Sequence, residues 1–455
     1  MNKRIASIDA LRGVAIILMV LSSAIGWGAG LPAWMFHCQC PPPTYAFNFA
    51  VKGITWVDLV FPWFLFSMGA AIPFSLGSKL RRGESLGRIS WGLVKRWLTL
   101  AAFGLVLGNS YLIADYQSWS ACLVRFGIWI GLFLALWRVP RANGWALNAA
   151  GALIIVAMLC VEKFVLGTKL GLHHIDIIIM VLSLVALLGG FSWLLSRKRI
   201  WLRLALIAVV FVTKEVNWHT HALDVLAFPD WIDWLFRWSY VQYLLIVLIG
   251  TVIGDILMAA DGEICDTPRS PGSAAAAWIC ALMTPLALWG FFTRNVWIMF
   301  TAVFALGGLA MWLTRNDKSA WSVIMRIGFA ALQFGIVFDP IDGGITKDHA
   351  NVSYMLSTAG LACLMTAFLL WCEARSALKG RSLSRNLTMT GQNPMVAYTV
   401  TGFVISPLLY LCHFDLFDQL TIGNPALGFL RGVIVTSLMV ALTCLFTSRR
   451  VFWRS

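Results

Sequence analysis

The chain has 455 residues, of which 59% are hydrophobic and only 12% charged, with a formal net charge of +14. A soluble domain keeps roughly 25% charged residues toward water, so a soluble globular protein is excluded. The positive charge does not point to nucleic acid either, because it falls mainly on alternate loops.

Apolar stretches of about 20 residues recur from Ala10 to Phe446, each long enough to cross a hydrocarbon core of roughly 30 Å as a helix. Their period is not strand-like, which excludes a β-barrel. Helices satisfy their own backbone in lipid, so the expectation is an all-α polytopic bundle of about 11–14 spans, fourteen by the fullest count. Lys3 and Arg4 precede a first apolar run with no clean A-x-A cleavage site, which reads as an uncleaved first helix. Placing the N-terminus in the cytoplasm puts Lys79, Arg81, Arg82, Arg88, Lys95, Arg96, Arg138, Arg141, Arg269, Lys379, Arg381 and Arg454 inside with many others. Only Lys52, Lys163, Lys169, Lys214, Arg237, Arg294 and Lys347 stay outside, an asymmetry of about three to one that predicts two cytoplasmic termini.

The outer loops of note are Gly30–Ile54, Lys214–Trp238, Asp339–Val352 and His413–Pro425; the main inner ones are Ser78–Ser90, Asp261–Gly272 and Glu373–Leu387. None is long enough for a soluble domain, so residues 1–455 are read as one transmembrane domain. The 23 tryptophans gather near span ends, as an interfacial belt does. Cys160, Cys280, Cys363 and Cys444 fall within spans and read as small core residues, whereas Cys38, Cys40, Cys122 and Cys412 fall outside, where an oxidising compartment permits a disulfide. Cys38-Gln39-Cys40 has no second pair at zinc spacing, so no metal site is expected from it.

Two constellations could carry chemistry. In Ser7-Ile8-Asp9-Ala10-Leu11-Arg12-Gly13, Asp9 and Arg12 are three apart and share a helix face. They form either an interfacial ion pair or a site for an anionic cytosolic ligand. The second joins His37, in the first outer loop, to Asp58, in the first turn of the second span. An ionised group there is costly and usually functional, and a carboxylate orienting an imidazole makes a general base; an interfacial histidine and a helix-start acid are the plain alternative.

The run Ile8-Asp9-x-x-Arg12-Gly13, a helix, an outer histidine and then Gly53-x-Thr55-x-x-Asp58-Leu-Val-x-Pro62-Trp-Phe resembles the heparan-α-glucosaminide N-acetyltransferase family and its bacterial relatives. Arg125, Lys347-Asp348 through Ser353-Tyr354, and Gly391-Gln392-Asn393-Pro394 fit the same resemblance. It implies an acyltransferase of the bacterial inner membrane that passes an acetyl group from cytosolic acetyl-CoA to an amino sugar on the far side. His37 and Asp58 would be catalytic; Asp9, Arg12, Arg96 and Asn393 would hold the coenzyme; Arg125, Lys347 and Ser23 would bind substrate. Ser23 stands where relatives often carry asparagine, and about 15 extra residues, Pro41-Pro42-Pro43 among them, separate His37 from Gly53. That insertion is expected to alter the acceptor side.

The partners implied are the sugar acceptor, acyl-CoA and the bilayer, with no nucleic acid, no metal, and a homo-oligomer left open. Trp218-His219-Thr220-His221 with Asp224 reads as structural or interfacial, because histidines two apart share a face only on a strand, and His173-His174 near an outer mouth reads the same way. Arg203, Arg326 and Arg431 are expected to snorkel or pair with carbonyls, and Gly254-Asp255 to end a helix. A transporter of amino sugars or oligosaccharides, or a subunit without activity of its own, fits the span count as well.

Overall fold

The computed structural model describes residues 5–111, 118–137, 144–222, 229–260, 271–378 and 383–453. Lys3, Arg4, Arg138, Arg141, Asp224, Arg269, Lys379, Arg381, Arg454 and most of the inner loop after Asp261 lie outside them. The helices, in chain order, are α1 Ala6–Ala24, α2 Trp56–Arg81, α3 Leu86–Ser110, α4 Trp119–Leu136, α5 Gly144–Phe164, α6 Ile177–Ser196 and α7 Ile200–Thr220. The short α8 Asp230–Asp233 and α9 Trp238–Val241 lead into α10 Leu244–Ala259, followed by α11 Pro271–Phe292, α12 Val296–Leu313, α13 Ala320–Ile341 and α14 Val352–Leu378. The chain closes with α15 Arg385–Gln392, α16 Pro394–Val400, α17 Ser406–Leu411, α18 Asp415–Thr421 and α19 Pro425–Ser448. Among the described residues no strand forms, and 13 helical segments are long and apolar enough to cross a membrane.

Helix α7 is absent from those 13 because Arg203, Lys214 and Glu215 interrupt its apolar sequence. Its packing nevertheless makes it a fourteenth crossing. The side chains it buries are Arg203 and Lys214, while Trp201, Leu204, Val209, Val212 and Val216 face outward. Such an inside-out helix is unfavourable in water and expected in lipid. Near its start Arg203 pairs with Asp255 and donates to Ser196 Oγ (2.9 Å) and to the Thr251 carbonyl (3.3 Å). Near its end Lys214 donates to the His349 carbonyl (2.8 Å) and Trp218 Nε1 to that of Asp342 (3.2 Å). It therefore runs the full depth from the end of α6 to the loop after α13. An even number of crossings returns the chain to the face where α1 begins, here termed the N-terminal face; the opposite one is the histidine face.

Several expectations change accordingly. Lys214 is buried on a crossing helix rather than placed in an outer loop, and Asp255 is the partner of Arg203 within α10 rather than its end. Cys160 faces outward and Cys444 is half-buried, whereas Cys280 and Cys363 are core residues; Cys38, Cys40 and Cys412 form no disulfide.

Helices α2 and α14 are mostly buried and form the centre, whereas α5 buries only Gly151, Ile155 and Glu162 at the rim. Close approach at the centre depends on glycine. On α2 a Cβ at Gly69 would sit 2.3 Å from the Val247 carbonyl oxygen, and on α10 one at Gly250 would sit 2.5 Å from that of Phe66. Small residues are what let membrane helices approach this way, since lipid offers no hydrophobic drive between them. At the N-terminal face Glu373 of α14 accepts from the backbone N–H of Ala6 (3.2 Å) and Ser7 (2.9 Å). That satisfies two orphan donors of α1 and meets its positive dipole end.

Candidate functional site: a histidine–aspartate pair opposite a basic cavity

The Asp58 carboxylate organises the histidine face. Fully buried in the first turn of α2, it accepts through Oδ2 from the backbone N–H of Thr55 (2.9 Å) and of Cys38 (3.4 Å). Its Oδ1 lies 2.6 Å from His37 Nδ1. The inserted residues do not displace His37. They loop out and are pinned at their base, where Gln39 Nε2 donates to the carbonyls of Val51 (3.3 Å) and Gly53 (3.2 Å) and Asn48 N donates to that of Gln39 (2.8 Å). Gly53 closes the loop at φ +130°, and a Cβ there would meet the Phe291 carbonyl oxygen at 2.9 Å, so only glycine fits.

Pro62 explains a further contact. It has no N–H to donate to the carbonyl four residues earlier, which is that of Asp58. The Tyr354 hydroxyl fills that position, donating to the Asp58 carbonyl at 2.7 Å. Lys347 comes from the same α13–α14 segment. Its Nζ lies 3.2 Å from His37 Nδ1, 3.4 Å from Nε2 and 3.9 Å from Asp58 Oδ1, which balances the buried carboxylate. With Nδ1–H held by Asp58, Nε2 is the nitrogen left for chemistry, and the His37 ring is about one-third exposed. Burial, with the Asp58 charge added, pushes the neighbouring Cys38 thiol up to about 12. It stays protonated at neutral pH and is a poor nucleophile beside the histidine.

A cavity of about 670 Å³ opens at the N-terminal face, lined by Arg12, Lys79, Lys95 and Arg96 together with the apolar Phe64, Leu100 and Met395. Arg12 is held by Ser67 Oγ (3.3 Å), the Ser67 carbonyl (3.1 Å), the Gly391 carbonyl (3.3 Å) and Asp9 (3.6 Å). Arg96 is less committed, and its Nε has no protein partner. Phe64 lies on α2 six residues from Asp58, about 9 Å along the helix axis. One helix thus runs from the basic cavity to the histidine.

The nine residues singled out from the sequence separate into groups. His37, Asp58 and Lys347 converge. Arg12 and Arg96 share the basic cavity, while Asp9 stands behind Arg12, and Asn393 ties Val451 down (2.8 Å) without lining the space. Arg125 and Ser23 join neither. Arg125 donates to the Gly402 carbonyl (3.0 Å) and lies over the Phe403 ring. Ser23 lines a second cavity of about 630 Å³ with Tyr111, Tyr398, Asp418 and Arg431. Sequence reasoning missed Lys79, Lys95 and Gln392 as cavity residues. Adjacency to Arg96 was an available signal for Lys95, and adjacency to Asn393 within the Gly391–Pro394 motif for Gln392; nothing local marked Lys79.

Residues 4–257 match the family described as "Domain of unknown function (DUF5009)", which is more than half of the chain. The chain belongs to that family. This DUF5009 protein is also 36% identical over 120 residues to human heparan-α-glucosaminide N-acetyltransferase and 34% identical over 120 residues to the mouse protein. The matched segment is 26% of this chain and 15% and 16% of those relatives, so it spans about one-sixth of their length. The resemblance to the heparan-α-glucosaminide N-acetyltransferase family is thereby found again in aligned sequence. The DUF5009 chain is a multi-pass membrane protein with an all-helical fold.

Proposed function

We propose that this protein is a membrane-embedded acetyltransferase, its whole length acting as one catalytic unit, that uses acetyl-CoA on the N-terminal face to acetylate an amino sugar on the histidine face. The observation that carries this reading is the alignment of a basic cavity and a His37–Asp58 pair on opposite faces along α2. The similarity to the N-acetyltransferases supports the reaction class. Arg12, Lys79, Lys95 and Arg96 suit the phosphates of the coenzyme, and the apolar part of the lining, Phe64, Leu100 and Met395, suits its pantetheine arm.

His37 Nε2 takes the proton from the acceptor nitrogen as that nitrogen attacks the thioester carbonyl carbon. The carbon–sulfur bond breaks, the coenzyme leaves as thiolate, and the proton on the imidazolium passes to it. Asp58 holds the ring and stabilises its charged form. Lys347 is within reach of the oxyanion formed in between. Attack by His37 itself, through an acetyl-imidazole, uses the same atoms in two steps.

Incubation of the purified protein with labelled acetyl-CoA and a panel of amino sugars should give labelled acetyl sugar and free coenzyme. Binding of acetyl-CoA with no label transferred to any sugar would overturn the reading. Accumulation of sugar in vesicles without coenzyme would instead mark a transporter. For sidedness, reporters fused after Pro43 and after Ser78 should give opposite signals, the second cytoplasmic. For the donor site, Arg96→Gln should weaken acetyl-CoA binding by roughly tenfold or more, the loss of one charge-assisted contact, and less so at high salt. Because the protein itself leaves Arg96 Nε without a partner, its melting temperature should hold, whereas Arg12→Ala should lower both.

A further inference from the structure

On the histidine face, Glu215 and His219 stand one turn apart near the end of α7, with His219 Nε2 3.2 Å from Glu215 Oε1. Asp342, the residue after α13, meets them there. One oxygen of each carboxylate and one ring nitrogen of His219 lie within 4.8 Å of one another. The Asp342 side chain is only 4% exposed; its Oδ2 accepts from Ser353 N at 2.8 Å, but its Oδ1 has no hydrogen-bond partner. Glu215 Oε2 is likewise buried without a partner. Orphaned carboxylate oxygens out of water are costly, and two of them share this cluster. The nearby Lys214 ammonium is turned to the His349 carbonyl at 2.8 Å and lies over the Trp218 ring.

We propose that Glu215, His219 and Asp342 bind a divalent first-row cation of the Zn2+ type. One imidazole with two carboxylates is a donor set such ions accept, and a pair at i, i+4 on a helix presents both ligands to one side. Ligands about 2.1 Å from a tetrahedral ion lie about 3.4 Å apart, so only small rotations of the two α7 side chains close the site. His219 is half exposed, which leaves room for water at the remaining position. The ion would fasten α7 to the segment that runs from Asp342 through Lys347 to Ser353, already held there by Trp218 Nε1 on the Asp342 carbonyl. That segment carries the lysine beside His37. His221 and Asp224, the neighbours that the sequence suggests, are not needed.

Untagged full-length protein in detergent, stripped with EDTA, should take up one Zn2+ per chain by calorimetry and metal analysis. His219→Ala and Glu215→Gln should each bind it at least about tenfold more weakly. Zn2+ should raise the melting temperature of the wild-type protein and leave that of His219→Ala unchanged. Since His219 is a half-exposed surface residue, its replacement leaves the fold intact to be measured. Equal Zn2+ affinity in the wild type and both variants, or no uptake at all, overturns the site.

Discussion

His37→Ala is expected to cut acetyl transfer by about 10²–10⁴-fold, the usual contribution of a general base, equivalent to about 3–5 kcal/mol of barrier. Binding of acetyl-CoA should stay near the wild-type level, because the basic cavity lies on the other face. Asp58→Asn should lose activity as well. An amide there can no longer take the His37 Nδ1 proton, the Thr55 N–H and the Cys38 N–H together on a charged acceptor, and Lys347 loses its counter-ion. It should also lower stability, which His37→Ala should not, since the ring is partly open to solvent. Steady-state rates with a labelled donor and a saturating amino sugar decide the matter. More than about a tenth of the wild-type rate in His37→Ala would move the base role to another residue.

Gly391→Ala should be among the most damaging single substitutions in the membrane region. A Cβ at that position would fall 1.8 Å from the Asp9 carbonyl oxygen and 2.7 Å from the Gly13 nitrogen, and the reverse contact, Gly13 against the Leu387 carbonyl, is as tight at 2.0 Å. Backbone cannot yield as a flexible side chain does, so α1 and α15 must part. Overpacking of this kind costs about 1–3 kcal/mol and at times more. It would also pull the Gly391 carbonyl from Arg12 and open the rim of the basic cavity. Gly308→Ala on α12 is the matched control, because a Cβ there meets nothing within 4 Å. Thermal unfolding in detergent should show a large fall for Gly391→Ala and none for Gly308→Ala; similar melts would show that the α1–α15 contact is slack.

What was legible from the sequence follows from short-range rules. The helical membrane class rests on apolar runs the length of a bilayer, and the fold agrees. The Asp9–Arg12 pair follows from helix period alone and forms at 3.6 Å. The meeting of His37 with Asp58 was within reach because the two lie 21 residues apart on one face. Other features depended on helices distant in sequence. Lys347, 310 residues from His37, and Tyr354, 296 residues from Asp58, arrive only because α14 packs against α2. The vacancy that Tyr354 fills was visible locally as Pro62, but its occupant was not. The fullest span count, fourteen, already included α7 despite its charges; what only the packing shows is those charges turned inward to Asp255 and His349 and the apolar side turned outward. Arg125 and Ser23 look alike as polar residues in apolar runs, yet the bundle turns Arg125 to the Gly402 carbonyl and puts Ser23 on a second cavity. Periodicity determines what one helix presents and says nothing of which neighbour receives it. That choice belongs to the glycine-permitted approaches of α2 to α10 and α1 to α15, and these exist only once the helices are packed together.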